Sequence, residues 1–446
     1  MKFLQTGDLH LGKFFYEYQL LEDQKYVLNQ LINELKLQVE TDSPYDALII
    51  AGDIYDRSMP PAEAVQVFSE FLAKIQKAFQ ELHVLIIPGN HDSALRLSYA
   101  QQILEQQRIH IRTDLTRIDE PVIIKDTAFY LMPFLQPASF SLIEQSDEKT
   151  ETKKNDKKLE KQKKIQPSKT SLEKNLDLFS NVDENQAENK TDLLLKDNSE
   201  KKETFLMSQT DLAKEAIRRI NISKNEDIPS VLVAHLFTAG SVESDSERII
   251  WGTAEQVDNS LFKDFSYTAL GHLHRCQQAG SRAFYSGSPL AYSFGESNTD
   301  KVFLRIELEK NKEPIVTKIP IEPLHPVISL TGSFEEFFDS EKYDKYKNHF
   351  LEIVSMTETI IENPVALLRK KFPYLLSFRQ DKAFERIASK EIVNRRLSLS
   401  NNENNINEQF VLFLEEIYSS DTDFTEKKAL FDKLFAEMKE KNHETK

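Results

Sequence analysis

An aspartate and a histidine stand two residues apart in "LQTGDLHLGK" (4–13), directly after the first apolar run of the chain. On an extended strand, residues i and i+2 project to the same face. The spacing therefore predicts that Asp8 and His10 present a carboxylate oxygen and a ring nitrogen side by side, a pair suited to a metal ion. The same residue types recur along the chain: Asp53, Asp56 and Arg57 in "AGDIYDR", Asn90 and His91 in "PGNHD", His235 in "VAHL", and His272 and His274 in "GHLH". Taken singly, each has an ordinary reading. A D-x-H can be a surface acid beside a partly buried histidine, G-N-H-D a turn, and His235 a core histidine. Asp56 can be a surface acid in a turn, and Arg57 the partner of a neighbouring acid.

The series carries more than its members. Carboxylates, imidazoles and an amide oxygen without thiolates favour a divalent ion such as Mn, Fe or Zn over a thiolate-bound structural zinc. Seven candidate ligands, Asp8, His10, Asp53, Asn90, His235, His272 and His274, are too many for one tetrahedral ion. Two ions sharing a carboxylate would use them, with Asp53 the expected bridge because its motif lies between the others. Such a pair, about 3.5–4 Å apart, suits phosphoryl transfer by clamping the attacking and leaving oxygens. Gly7, Gly52, Gly89 and Gly271 each precede a motif residue, as tight turns and close backbone approach require.

These residues need elements to position them. "KFLQTG", "ALIIAGD" (47–53), "HVLIIPGNHD" (83–92), "SVLVAHLFTAG" (230–240), "YTALGHLHR" (267–275) and "KVFLRIEL" (301–308) read as strands, the third and fourth running into a turn or loop. Residues 19–40 and 61–78 read as amphipathic helices, with Pro61 near the start of the second, where a missing N–H costs little. The β-α-β-α-β alternation indicates an α/β domain, in which ligands bind beyond the carboxyl ends of the strands. The motifs sit at those ends.

Residues 146–205 break the pattern with a Lys/Glu/Asn/Asp-rich stretch, read as a disordered or loosely helical insertion. Its Lys-rich part (149–164) is either a solvated linker or a nucleic-acid contact. Residues 326–380 read as a small α+β unit. From about 381 to 446 the chain reads as charged helix, ending in "NEQFVLFLEEIYSS" and "TEKKALFDKLFAEMKEK", a hairpin with one apolar face that either packs on its own domain or docks a partner.

At 446 residues the chain is long enough for two or three domains, and 40% hydrophobic residues supply a normal core. The single cysteine, Cys276, excludes an intrachain disulfide framework and a Cys-rich zinc site; a buried structural thiol is its expected role. No apolar leader or membrane-length run is present, so a soluble cytoplasmic protein is expected, with no membrane partner. The net charge of −15 argues against coating nucleic acid non-specifically but not against a nuclease, because cations bound at a carboxylate site change the local field.

The ordered series "GDLH", "GDIYDR", "GNHD", "AH", "GHLH" resembles the calcineurin-like metallophosphoesterase superfamily. The runs "MKFLQTGDLHLGK" and "GDIYDRSMPP" resemble its Mre11-type nuclease branch. The resemblance covers residues 1–145 and 206–330 well, continues loosely beyond, and leaves the insertion unexplained. It implies an α/β fold: a four-layer α-β-β-α sandwich over 1–325, a small α+β capping domain over 326–380, and a helical C-terminal extension over 381–446 that binds an SMC-like ATPase of the SbcC type. It also implies a homodimer of this chain within a heterotetramer, with a candidate surface at 61–78 and 90–105. The implied activity is Mn2+-dependent processing of DNA ends and hairpins, as a double-strand 3'-5' exonuclease and a single-strand endonuclease. By motif, Asp8, His10, Asp53 and His274 would hold one ion and Asp53, Asn90, His235 and His272 the other. His91 would stabilise the transition state and protonate the leaving oxygen. Asp56 is expected to accept a hydrogen bond from His91, and Arg57 to contact phosphate. The chain has no G-x-x-x-x-G-K-[ST] motif, so ATP hydrolysis must come from another polypeptide. Two further readings stand: a two-metal phosphatase or phosphodiesterase acting on a small molecule or phosphoprotein, and a scaffold with a relict site. The extra domain and C-terminal hairpin distinguish the nuclease from a minimal phosphatase, and the complete ligand set disfavours the scaffold.

Overall fold

The computed structural model describes residues 1–135, 208–242, 244, 256–357, 361–380 and 433. The insertion 146–205 and, residue 433 apart, the C-terminal hairpin lie outside the described residues. The chain divides into two compact units, residues 1–327 and 328 onward.

In the first unit, β1 (Lys2–Thr6) is followed by a small hairpin, β2 (Phe14–Phe15) and β3 (Tyr18–Gln19), then α1 (Leu21–Glu40), β4 (Ala47–Ala51), α2 (Ala62–Ala78), β5 (His83–Ile87) and β6 (Ile109–Ile111). Next come β7 (Val122–Ile124), β8 (Thr127–Met132), α3 (Gln209–Ser223), β9 (Ser230–His235) and β10 (Tyr267–Gly271). The unit ends with β11 (Gln277–Gln278), β12 (Ala283–Tyr285), β13 (Val302–Glu307) and β14 (Ile315–Pro320). Two six-stranded sheets result, ordered β14-β13-β1-β4-β5-β6 and β11-β12-β10-β9-β8-β7. Their centres are parallel, β1 with β4 and β5 in one sheet, β8, β9 and β10 in the other.

Parallel strands covered on both faces read as unbroken apolar runs, and β4, β9 and β10 are buried at every position. Alternation sorts their side chains. Phe3, Ala47, Ile49 and Leu85 of one sheet meet Phe129, Leu131, Val231, Val233 and Tyr267 of the other in a shared core. The opposite face of the second sheet, through Tyr130, Leu232 and Ala234, packs on Leu212, Ala213, Ala216, Ile217 and Ile220 of α3. The alternate residues of the first sheet, Leu48, Ile50, Val84 and Ile86, are equally buried, and α1 and α2 lie against each other with buried apolar faces. The unit is thus a four-layer α-β-β-α sandwich. Buried polar ties cross between the sheets: at Gln5, Nε2 donates to the carbonyls of Leu270 (3.2 Å) and Phe284 (3.0 Å), and Tyr267 donates to Gln5 Oε1 (2.7 Å).

The second unit is α+β. A three-stranded sheet, β15 (Val327–Gly332), β16 (Phe350–Ser355) and β17 (Leu375–Arg379), accompanies short helices α4 (Phe334–Asp339) and α5 (Pro364–Leu368). Ser333 and Glu336 form a reciprocal capping box at the start of α4. Phe337, Leu351, Ile353, Leu368 and Phe372 supply its core.

Candidate active site

The site is built where the central strands stop. β1 ends at Thr6, β4 at Ala51, β9 at His235 and β10 at Gly271, shorter than the apolar runs alone suggest. The backbone leaves extended geometry there: Asp8, His10, Asp53 and His272 have φ of 52°, 44°, 47° and 108°. Non-glycine residues rarely hold such angles unless their surroundings impose them, and they gather at functional sites. Strand alternation is therefore not what brings Asp8 and His10 together. Two left-handed residues do so, held by main-chain bonds from Asp8 N to Gly52 O (3.0 Å) and His10 N to Asp53 O (2.9 Å).

Glycines make this approach possible. Gly52 has φ +90°, and a Cβ there would collide with the His235 ring. Gly89 lies so close to Asp53 that a Cβ would overlap its carboxylate. Asp92, the last residue of "PGNHD", locks the same corner by accepting from the main-chain N–H groups of Gly89 (2.9 Å), Ile54 (3.0 Å) and Tyr55 (2.9 Å).

The seven expected ligands converge. His10 Nε2 lies 3.1 Å from His274 Nε2 and 3.7 Å from Asp53 Oδ2. His235 Nε2 lies 3.4 Å from Asp53 Oδ2 and 2.9 Å from Asn90 Oδ1, which is 3.1 Å from His272 Nδ1. Asp8 Oδ1 accepts from His272 N (2.9 Å). Asp53 stands between the two groups of imidazoles, and its other oxygen accepts from His91 N (2.9 Å).

The donor set asks for positive charge. The His235 Nδ1–H donates to the Ala51 carbonyl (2.9 Å), which turns its Nε2 lone pair toward two oxygen acceptors. Without a cation, a proton on Nε2 would satisfy both oxygens. Burial opposes this, but the Asp53 and Asp8 carboxylates overturn burial and raise His235 to about 9. Burial, with Asp53 nearby, pushes Asp8 up to about 7 against His235 and His274. Burial also pushes Asp53 up, yet the surrounding imidazoles, His235 first, hold it well below the usual carboxylate range. Asp8 Oδ2 and His10 Nδ1 are buried without a hydrogen-bond partner among the described residues, and ligand atoms of Asp8, His10 and Asp53 lie within 4.8 Å of one another. These residues fit a divalent cation.

His91 lies beside this centre, its ring 4.7 Å from that of His10 and nearly perpendicular to it. The expected support from Asp56 takes a different form. His91 Nδ1 donates to the main-chain carbonyl of Asp56 (2.8 Å) rather than to its carboxylate. The carboxylate accepts from Lys13 Nζ (2.7 Å) and stands 3.7 Å from His10 Nδ1. The bond from Asp56 N to Leu11 O (3.2 Å) and the Leu11–Tyr55 bridge align the two loops. Arg57 is exposed, and no hydrogen bond or ion pair joins it to a described residue. Cys276 is half-buried, and burial raises its thiol.

Sequence reasoning missed the supports. Glu296, in "YSGSPLAYSFGE", is 1% exposed and faces His274 Nδ1 at 3.6 Å. Burial pushes its carboxyl up, and His274 and Lys301 more than reverse this. Tyr292 donates to Leu9 O (2.5 Å) and sets its ring edge-on to those of His10 and His274. No spacing rule marks these residues, because their loop returns to the site from 18 or more positions beyond His274.

Among the described residues, no helix is long and apolar enough to cross a membrane. A family model described as calcineurin-like phosphoesterase matches residues 1–276. The SbcD subunit of the SbcCD nuclease of Staphylococcus epidermidis is 30% identical over 380 residues, 84% of this chain and 84% of that protein. Its counterpart in Staphylococcus saprophyticus is 29% identical over 380 residues with the same coverage. A solved dimetal phosphatase from Danio rerio gives a TM-score of 0.37 at 12% identity, covering 71% of this chain and 98% of its own. The ligand-rich strand ends and the family match agree: the chain belongs to the calcineurin-like phosphoesterases, phosphoester hydrolases that use divalent metals, in the group of the SbcD nuclease subunits.

Proposed function

We propose that the chain is a Mn2+-dependent DNA nuclease, acting on double-strand ends from 3' to 5' and on single strands and hairpins, with an SbcC-type ATPase in DNA repair, recombination and replication. The convergence of seven ligands around Asp53, with His91 alongside, carries the reading; the SbcD relatives direct it toward DNA. Asp8, His10, Asp53 and His274 would hold one ion, and Asp53, Asn90, His235 and His272 the other. Two such ions supply Lewis-acid charge at the scissile phosphate and lower the pKa of the attacking water. His91, with Nδ1–H given to the Asp56 carbonyl, keeps Nε2 for the substrate and from it delivers a proton to the leaving oxygen. Asp56 positions His91 through its main chain and faces the outer nitrogen of His10 with its carboxylate. Arg57, exposed beside Asp56, contacts a backbone phosphate of the DNA. The ATPase binds through residues 381–446, so a chain ending at 380 should no longer co-purify with it while still binding Mn2+.

The test is cleavage of a labelled DNA hairpin with Mn2+, with and without the ATPase, beside His91→Ala. Mn2+-dependent cutting abolished by the substitution supports the nuclease. No cutting, with His91-dependent hydrolysis of a small phosphodiester or phosphopeptide instead, would replace it with a phosphatase.

A further inference from the structure

We infer that Glu296 and Lys301 form a brace that sets His274 as a metal ligand, Glu296 acting on the ring and Lys301 on the main chain. The inference rests on the two-metal reading above. His274 is held at both of its ends. On the ring side, Glu296 Oε1 faces Nδ1 at 3.6 Å and is itself steadied by Tyr292 N (3.3 Å) and Ser293 Oγ (3.2 Å). A carboxylate there favours the Nδ1–H tautomer and leaves the Nε2 lone pair directed at the centre, where His10 Nε2 lies 3.1 Å away. On the main-chain side, Lys301 Nζ donates to the His274 carbonyl (3.0 Å), to Ser288 Oγ (2.9 Å) and to Glu296 Oε2 (2.5 Å). Ser288 N reaches the same carbonyl at 3.1 Å.

This ion pair is nearly dry: the Glu296 and Lys301 side chains are 1% and 7% exposed. Desolvating two charges consumes most of what their attraction returns, so such a pair is weak as a stabilising device. Its geometry is better explained by what it holds. Carboxylates that grip the far nitrogen of a ligating histidine fix its orientation, and losing one lowers metal affinity about 10–100-fold. Glu296 and Lys301 are positioning residues on this account, since neither touches substrate.

The test titrates Mn2+ into the full chain by calorimetry and follows the spin-coupled signal of a paired Mn2+ site by electron paramagnetic resonance. The parent should take up two ions. Glu296→Ala and Lys301→Met should each weaken one ion about 10–100-fold, spare the other, and lose the coupled signal at limiting Mn2+. Glu296→Gln separates positioning from stability. It keeps the packing of the side chain, but its one oxygen is drawn to the Lys301 ammonium and its NH2 turns to Nδ1, so it should lose the acceptor for Nδ1–H and weaken the same ion as Glu296→Ala does. Two ions bound within twofold of the parent by Glu296→Ala would overturn the inference. If that variant does not fold, the same result from Lys301→Met overturns it. A parent that binds no Mn2+ refutes the two-metal reading, and the inference falls with it.

Discussion

At the scale of single residues, His91 and Asp56 divide one task between side chain and main chain. Because the His91 ring is held by the Asp56 carbonyl, changing the Asp56 side chain leaves that bond in place. Asp56→Asn should therefore reduce cleavage less than tenfold, whereas His91→Ala should reduce it by about 10²–10⁴ with Mn2+ uptake retained. Equal losses in the two variants would show that the carboxylate does the work. A different pair of histidines bears on stability. His83 and His110 stack at an interplanar angle of 9°, with Nδ1 and Nε2 3.0 Å apart. Burial, reinforced by His83, lowers His110 to about 4. Its folded value lies below its unfolded one, so between about pH 6.5 and 4 the unfolded chain binds more protons and stability falls as the solution is acidified. The contribution is about 2 kcal/mol after discounting for partial solvent access. Thermal melts from pH 7.5 to 4.5 should show a shallower decline in His110→Gln than in the parent; superimposable profiles would exclude the effect.

At the scale of elements, the site depends on where strands end and how closely their loops approach. The apolar runs of β4, β9 and β10 and the Gly-Asp, Gly-Asn-His and Gly-His turns are readable from sequence because burial on both faces and tight turns restrict residue choice. The backbone of those turns is not. The i, i+2 spacing of Asp8 and His10 suggests a strand face, while the actual convergence comes from left-handed residues fixed by contacts to Gly52 and Asp53, more than 40 positions away. The loop carrying Tyr292 and Glu296 is illegible for the same reason: its role is set by distant partners. Two glycines test this dependence. At Gly89 a Cβ would fall on the Asp53 carboxylate, whereas at Gly240, φ +81°, it would meet nothing within 4 Å among the described residues. Gly240→Ala should cost only its backbone strain, about 1–2 kcal/mol, with Mn2+ binding intact. Gly89→Ala should displace Asp53 and lower Mn2+ affinity at both ions. Calorimetric titration of the two variants checks the contrast, and a Gly89→Ala chain with parental affinity would refute the proposed bridge.

At the scale of the whole molecule, the surface next to the His91 loop carries exposed apolar residues. Leu95, Tyr99 and Ile103 are 84%, 85% and 67% exposed, and Met59 is 70% exposed. Single apolar residues on a surface need no explanation, but several within one short segment mark a contact. The same segment, together with residues 61–78, is the expected joint between two copies of the chain. Dimerisation there would place two metal centres on one assembly, each only a few residues from the joint. Tyr99→Glu combined with Ile103→Glu puts two charges into that contact while leaving every expected ligand untouched. Light scattering should then report a mass of one chain where the parent gives two. Mn2+ uptake should be unchanged, because exposed side chains contribute little to the fold. A parent that is already monomeric at micromolar concentration, or a double variant that remains dimeric, would remove this segment as the joint and leave the apolar surface to a different partner.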